Sequence, residues 1–253
     1  MKTKDLLYAM DGIDVQWILD AAPDEAMPKG KTGKRRWVIP TAVAAGVCAV
    51  LVSVSAVSTL ARNIALTDDS YGVRASYAWF VPKQEKTADL LAYMTEEELF
   101  CKWDTVVFRG TVTSIENIVL NFDGLKEYRA LVELEVSETY RGEVGEKVTL
   151  LLPCPIGNGV RSTDTDTVDE LKVGMSGIFM PLLYDETSVI SMNGASLALL
   201  DIADGAFPDG VRYAFLEGKD GLIFDGNAYP SLTDAETLDE IEAYVKEMIQ
   251  KTE

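Results

Sequence analysis

The sequence predicts an α+β protein with short N-terminal helices, one transmembrane helix, and an external β-barrel-based domain with flanking helices and a C-terminal helix. Three observations lead to this class. A run of 24 residues, Val38 to Ala61, carries no charge. Residues 3–21 repeat apolar side chains at helical spacing, and from residue 105 onward apolar and polar residues alternate at strand spacing.

Residues 1–28 are predicted to form a small cytoplasmic helical module. Its apolar seam, with members three or four positions apart, consists of Leu6, Met10, Ile13 and Trp17. Two helices this short are not stable alone in water, so the seam indicates a cover: a partner protein, a second copy or a membrane surface. A weakly ordered tail without a partner is the alternative.

A basic linker at residues 29–36 leads into the predicted transmembrane helix at residues 37–61. As a helix, the uncharged run is about 36 Å long, which exceeds a hydrocarbon core of about 30 Å. Basic residues stay on the cytoplasmic side, and tryptophan favours the interface. Four residues mark the cytoplasmic border: Lys34, Arg35, Arg36 and Trp37.

This topology predicts a single-pass protein of the cell membrane, with the N-terminus in the cytoplasm, residues 62–253 outside and the lipid bilayer as a partner. A cleavable signal peptide is the alternative, since Val54, Ser55 and Ala56 are small enough for a cleavage site. However, the region of 36 residues before the apolar run is longer than the basic segment of a typical signal peptide.

Charge and composition exclude several functions. Residues 1–36 hold seven Lys/Arg and six Asp/Glu, which leaves 16 basic and 35 acidic residues, a net charge of −19, for the remainder. A domain this acidic is not expected to bind nucleic acid. The chain has no histidine, so it lacks Ser–His–Asp and Cys–His catalysis and the commonest metal ligand. We expect no enzyme, no cofactor and no metal site.

Two smaller features leave alternatives open. Asp164, Asp166 and Asp169 could offer oxygens to calcium, but they lack the EF-hand pattern and equally suit a solvated acidic loop. Cys101 and Cys154 could form a disulfide outside the cell, closing a loop of about 50 residues, or remain free.

Residues 62–98 are predicted to be a connector with a short helix. Thr95 and Glu98 have the spacing of a capping box, in which each side chain bonds the other residue's backbone N–H. Four aromatic residues in the connector could form a binding platform or cover one end of the barrel. They are Tyr71, Tyr77, Trp79 and Phe80.

Residues 99–253 are predicted to form the β-barrel-based domain. Five strands are predicted over residues 105–115, 128–136, 147–152, 177–184 and 196–202, and a hairpin is predicted with its turn at residues 217–221. Within 128–136, the residues alternate between two faces, with Ala130, Val132, Leu134 and Val136 on one and Arg129, Leu131, Glu133 and Glu135 on the other. Thr233 or Asp234 is predicted to cap a final amphipathic helix with Leu238 and Ile241 on its apolar face.

Residues 99–184 resemble the netrin-like, TIMP-like OB-fold family. The similarity lies in Cys101 at the opening of the first strand, the segment Val106 to Val112, and the turn at Tyr140, Arg141 and Gly142, where Arg141 replaces the family's usual lysine. The resemblance implies an OB-like barrel. The family's protease inhibition needs a free N-terminal cysteine, and Cys101 is internal.

The N-terminal part resembles membrane-bound anti-sigma factors of Gram-positive bacteria, through the segment Asp11 to Asp14 and the basic run before the apolar segment. This resemblance implies a non-enzymatic transmembrane regulator or sensor, with a sigma-factor-like cytoplasmic partner and an unidentified external ligand. The alternative is a membrane-anchored external binding module with no signalling role.

Overall fold

The computed structural model describes residues 62–82, 91–157 and 165–252, which all belong to one compact unit, Val54–Glu253. Twelve strands lie in these ranges: β1 (Asn63–Ile64), β2 (Val73–Tyr77), β3 (Val107–Phe122), β4 (Leu125–Arg141), β5 (Lys147–Leu152), β6 (Ser176–Phe179), β7 (Leu182–Leu183), β8 (Val189–Met192), β9 (Ala195–Ala198), β10 (Gly205–Ala206), β11 (Ala214–Gly218) and β12 (Gly221–Ile223). Two α-helices accompany them, α1 (Glu96–Cys101) and α2 (Leu238–Thr252).

Ten of these strands form one curled sheet in the order β12-β11-β6-β3-β4-β5-β10-β7, with β2 and then β1 added beside β3. Pairing is antiparallel except between β10 and β5. Strands β8 and β9 form a separate hairpin. On its edge away from β4, the long β3 pairs with two strands: its first residues pair with β6 and its last residues pair with β2. Register shifts in the β3–β4 ladder, between Arg109 and Gly110 and between Val112 and Ser114, allow this split and bend the sheet.

The β3–β4 hairpin is the centre of the fold and has a two-residue turn, Asp123 and Gly124. Both residues have positive φ, 45° and 100°. A turn with two positive φ angles matches the right-handed twist of the flanking strands. The side chain of Asn121 supports the turn, since its Oδ1 accepts a hydrogen bond from Gly124 N at 2.7 Å.

The sheet buries both of its faces. Along β4, Ala130, Val132 and Leu134 belong to one hydrophobic cluster, while Leu131 between them belongs to another. Along β5, Leu151 likewise lies opposite its neighbours. Because successive strand residues point to opposite faces, the two clusters lie on opposite sides of the sheet. The face predicted for residues 130, 132 and 134 is therefore confirmed.

We call the larger cluster, which includes the helices, the large core. Its fully buried side chains include Phe100, Phe108, Phe179, Tyr213, Phe215, Tyr229, Ile241 and Val245. We call the cluster beneath the β8–β9 hairpin the small core. Its buried members are Ala75, Ile118, Leu120, Phe122, Leu131, Leu151, Ala195, Leu197, Leu199, Ile202 and Ala203.

Both helices begin with reciprocal caps. The predicted Thr95–Glu98 capping box is confirmed at α1. The prediction that Thr233 or Asp234 caps α2 is wrong. Residues Pro230–Leu232 instead make a 3₁₀ turn, and the hydroxyl of Thr237 accepts from Glu240 N while Glu240 accepts from Thr237 N.

Several predicted strands are confirmed, and two are corrected. The hairpin with its turn at 217–221 is present as β11 and β12. The predicted strand 177–184 is divided into β6 and β7, because Pro181 lies between them and has no N–H for the ladder. The predicted strand 196–202 ends at Ala198, where the 3₁₀ turn Leu199–Asp201 begins.

The predicted fold class is corrected. The described chain is mainly β with two α-helices, and its strand order ends at β12 and β7 as an open half-barrel instead of a closed OB-like barrel. The reason is that the sheet is covered on both faces, whereas a closed barrel has one interior.

The predicted membrane topology is also corrected. Among residues 62–82, 91–157 and 165–252, no helix has the length and apolar character needed to cross a membrane. This finding contradicts the predicted single-pass localisation. The predicted span at residues 37–61 and the border residues Lys34, Arg35, Arg36 and Trp37 lie outside the described residues.

Candidate functional site

A small apolar cavity of about 120 Å³ lies on the small-core side of the sheet, between the end of β5 and strand β8. Its lining is mostly aliphatic and aromatic, with charged groups from β4. The lining residues are Leu120, Phe122, Glu127, Arg129, Leu151, Leu152, Pro153, Tyr184, Ile190, Met192, Ala206 and Phe207.

Strand register places the cavity walls. Leu120 of β3 is paired directly with Glu127 of β4, so their side chains leave the same face of the sheet. Arg129 lies two positions further along β4 and therefore also points to this face. On β8, Ile190 and Met192 are half-buried, whereas Val189, the first residue of the strand, is 47 % exposed.

The β8–β9 hairpin is fixed to the β3–β4 turn by a single side chain. Asn193 has a positive φ of 51° in the hairpin turn, next to Gly194 at 78°. Its amide nitrogen donates to the carbonyl oxygens of Phe122 and Asp123 at 3.2 and 3.0 Å. This attachment holds Ile190 and Met192 against the sheet and so closes one side of the cavity.

An ion pair lies in the cavity wall. Arg129 donates through Nη2 to Glu127 Oε2 at 2.8 Å and through Nη1 to the carbonyl oxygen of Pro153 at 2.8 Å. The two side chains are 28 % and 29 % exposed, so the pair is partly desolvated but still reachable. A guanidinium has five N–H groups, so donors remain. They and Glu127 Oε1 have no hydrogen bond within the described ranges.

Tyr184 adds a third polar group to the lining. Burial raises the pKa of its phenol to about 12, although the nearby Arg129 cation acts in the opposite direction. The hydroxyl is therefore protonated at neutral pH, and it makes no hydrogen bond to another described residue. It is available as a donor at the cavity.

The cavity lining contains groups that bind, and no nucleophile paired with a base. Cys154, next to the lining residue Pro153, is buried and donates to Asp169 Oδ1 at 3.0 Å. Burial and the neighbouring Asp169 carboxylate raise the pKa of this thiol well above its ordinary value, so it is an inert structural group.

The predicted disulfide is not formed. Cys101 ends α1 as an exposed free thiol, while Cys154 is a buried free thiol held by Asp169. The two cysteines thus have separate environments, one in water and one in the large core.

The calcium hypothesis receives no support from the described part of the acidic loop. Asp169 already accepts from Cys154 and from the hydroxyl of Thr165, and Asp164 lies outside the described residues. Within the described ranges, no group of three or more His, Cys, Asp or Glu side chains is arranged to hold a metal ion.

The other sequence-predicted residues that the structure describes do not line the cavity. The seam residues Leu6, Met10, Ile13 and Trp17 lie outside the described residues. Of the connector aromatics, Tyr71, Trp79 and Phe80 are at least 74 % exposed. Trp79 instead packs under Arg62, with the guanidinium carbon 3.8 Å from the ring centroid.

Sequence reasoning missed the Arg129–Glu127 pair. The alternation in residues 128–136 assigned Arg129 to a polar face, which suggested exposure to solvent. The signal that could have found the pair is Leu131, an apolar residue on that same face, which indicates that the face is partly covered.

Comparison of the chain with known protein families, with curated protein sequences and with solved structures finds no match.

Proposed function

We propose that the described domain is a non-catalytic binding module, of the kind that serves a sensor or regulator, and that the cavity beside β5 is its ligand site. One observation carries the proposal: an apolar cavity has a reachable ion pair and an uncommitted hydroxyl in its wall. Ligand sites typically combine an apolar lining with a few polar groups that fix orientation.

The cavity volume limits the ligand. Drug-sized pockets enclose about 300–1,000 Å³. An engineered apolar cavity of about 150 Å³ holds one benzene molecule. At about 120 Å³, this cavity therefore suits a single group no larger than a phenyl ring or a branched four-carbon chain.

The chemistry of the cavity wall supports a binding role. Proton transfer at neutral pH needs a group whose pKa lies near 7. In the cavity wall, burial moves the Tyr184 pKa to about 12, and the arginine is permanently charged. The partner predicted for the seam at residues 6–17 remains a hypothesis about another part of the chain.

The proposal is tested with a neutral apolar probe, isoamyl alcohol, and the full-length protein. Calorimetric titration should detect binding to the wild type. Ile190→Phe fills the cavity and should abolish that binding. Val189→Phe is the matched control, because it adds the same ring on the exposed side of β8 and should bind as the wild type does.

Two results would overturn the proposal. One is no binding of isoamyl alcohol to the wild-type protein. The other is equal binding to the Ile190→Phe and Val189→Phe variants, which would place the alcohol elsewhere.

A further inference from the structure

We infer that the ligand class of this cavity is a free α-amino acid with a branched or aromatic apolar side chain. The ligand carboxylate would bind Arg129 and Tyr184, its ammonium would bind Glu127, and its side chain would occupy the cavity. This inference rests on the proposed function and adds the identity of the ligand's charged groups.

The signs of the two charges favour a zwitterion. The cavity wall presents one cation, Arg129, and one anion, Glu127, 2.8 Å apart. A monocarboxylate would pair with the arginine but bring a like charge close to Glu127, which costs free energy. A monoamine would pair with Glu127 but bring a like charge close to Arg129. An α-amino acid carries both charged groups on the same carbon atom and satisfies both side chains.

The hydrogen-bonding capacity of the wall matches the same ligand. Arg129 uses two of its five N–H donors internally, and its planar fork suits a carboxylate. The Tyr184 hydroxyl is a protonated, uncommitted donor. Glu127 keeps Oε1 as an acceptor for an ammonium, which offers three donors.

The apolar part of the lining selects the side chain. Leu120, Phe122 and Leu151 are at most 9 % exposed and offer no hydrogen bond to a ligand hydroxyl or charge. A polar side chain would therefore be buried without a partner, which costs about 1–3 kcal/mol. Leucine and phenylalanine side chains match a cavity of about 120 Å³, since a cavity of about 150 Å³ holds one benzene ring.

The first experiment compares four ligands that share one carbon skeleton, by calorimetric titration of the full-length protein. L-Leucine has both charges, 4-methylpentanoate lacks the ammonium, isoamylamine lacks the carboxylate, and isoamyl alcohol lacks both. We expect L-leucine to bind at least about tenfold tighter than each of the others, because charge-assisted hydrogen bonds are the strongest available here.

The second experiment assigns the charges to residues. Glu127→Gln keeps the side-chain shape and should remove the preference for L-leucine over 4-methylpentanoate. Glu135→Gln is the matched control, because it makes the same charge change at an exposed position of β4 and should keep the preference. Tyr184→Phe keeps the ring. It should weaken the binding of L-leucine several-fold and leave the affinity for isoamyl alcohol unchanged.

An Arg129→Gln variant should lose the preference for L-leucine over isoamylamine, and Lys126→Gln, at an exposed position of the same strand, should keep it. If Arg129→Gln does not fold because Pro153 loses its donor, the Glu127 and Tyr184 variants decide the question.

The outcomes separate the inference from the proposed function. If isoamyl alcohol binds in the cavity but L-leucine binds no tighter, the inference is overturned and the binding module remains. If L-leucinamide, which lacks the carboxylate, binds as tightly as L-leucine, the site recognises an amino terminus and the inference is also overturned. If Glu127→Gln and Glu135→Gln behave alike, Glu127 does not hold the ammonium.

Discussion

The two faces of the central sheet differ in how completely they are filled. On the large-core face, aromatic rings pack against one another, with the centroids of Phe215 and Tyr229 4.8 Å apart and those of Phe100 and Tyr244 6.2 Å apart. On the small-core face, Phe122 and Leu120 border a cavity. Strands β3 and β4 thus support a tightly packed side that holds the fold and a less filled side, where we propose the ligand site.

The ion pairs of the two faces also differ, in how far their side chains are exposed to solvent. On the large-core side, Arg212 and Asp209 are only 10 % and 8 % exposed, and Arg212 also donates to the carbonyl oxygen of Ala92 at 2.8 Å. Its own carbonyl accepts from the buried hydroxyl of Tyr229 at 2.7 Å. The Arg129–Glu127 pair is about three times as exposed. A buried pair with every partner internal is structural, whereas an exposed pair with spare donors can bind.

The largest expected effect compares two phenylalanines of strand β3. Phe108 lies in the large core and Phe122 borders the cavity, and both are at most 1 % exposed. We expect Phe108→Ala to lower the free energy of unfolding by about 3–5 kcal/mol. Phe122→Ala should cost about 1 kcal/mol less, because one side of that ring already lacks packing contacts. Urea unfolding of both variants measures the difference, and equal costs would break the comparison.

A smaller effect is expected from removing one charge of each ion pair. Asp209→Asn leaves Arg212 buried without its counterion and should cost about 3 kcal/mol of unfolding free energy. Glu127→Gln should cost at most about 1 kcal/mol, because the pair that it breaks is partly exposed to water. Thermal and urea unfolding provide both values. A cost above about 2 kcal/mol for Glu127→Gln would show that its pair is structural too.

The smallest expected effect concerns the acid sensitivity of the large-core side. A hydrogen bond from Lys246 lowers the pKa of Glu242 to about 2; burial acts in the opposite direction, and Tyr140 and Arg109 lower the pKa further. Glu242 attaches α2 to β3 through Arg109, and Lys246 attaches α2 to β4 through Glu138. Since the folded-state pKa lies below the ordinary 4.5, this stabilisation is complete above pH 4.5 and is lost as the pH falls toward 2.

Between pH 5 and 2.5, the wild type should therefore lose about 1–2 kcal/mol more unfolding free energy than Glu242→Gln, which has no carboxyl to protonate at this position. Glu247→Gln removes an exposed charge from the same helix and should follow the wild-type pH profile. Parallel profiles for the wild type and Glu242→Gln would contradict the role given to this carboxylate.

Local patterns were sufficient for several elements. The period-two alternation at residues 130–134, the Thr95–Glu98 cap and the hairpin at 217–221 were all predicted from neighbouring residues and are present. Each depends on interactions within a few positions of the chain. The start of α2 was not predicted correctly, because Thr233 and Thr237 both suit a cap and the 3₁₀ turn at Pro230–Leu232 selects the second.

The candidate site could not be predicted in this way. Its walls come from β3, β4, β5, β8 and β10, which are distant in sequence, and the parallel pairing of β10 with β5 brings Ala206 beside Leu151. Arg129, Glu127 and Tyr184 are all visible in the sequence, but their spacing does not indicate that they line one cavity.

The sequence by itself determined the alternating face of β4, where α1 is capped, and that no histidine-based chemistry is available, because these depend on local periodicity and residue type. Only the tertiary structure decided that the sheet stays open with both faces covered, that Cys154 is a buried donor to Asp169, and that Arg129 and Glu127 border a cavity. The physical reason is that strand order and register, which set these neighbours, arise from pairing between distant residues.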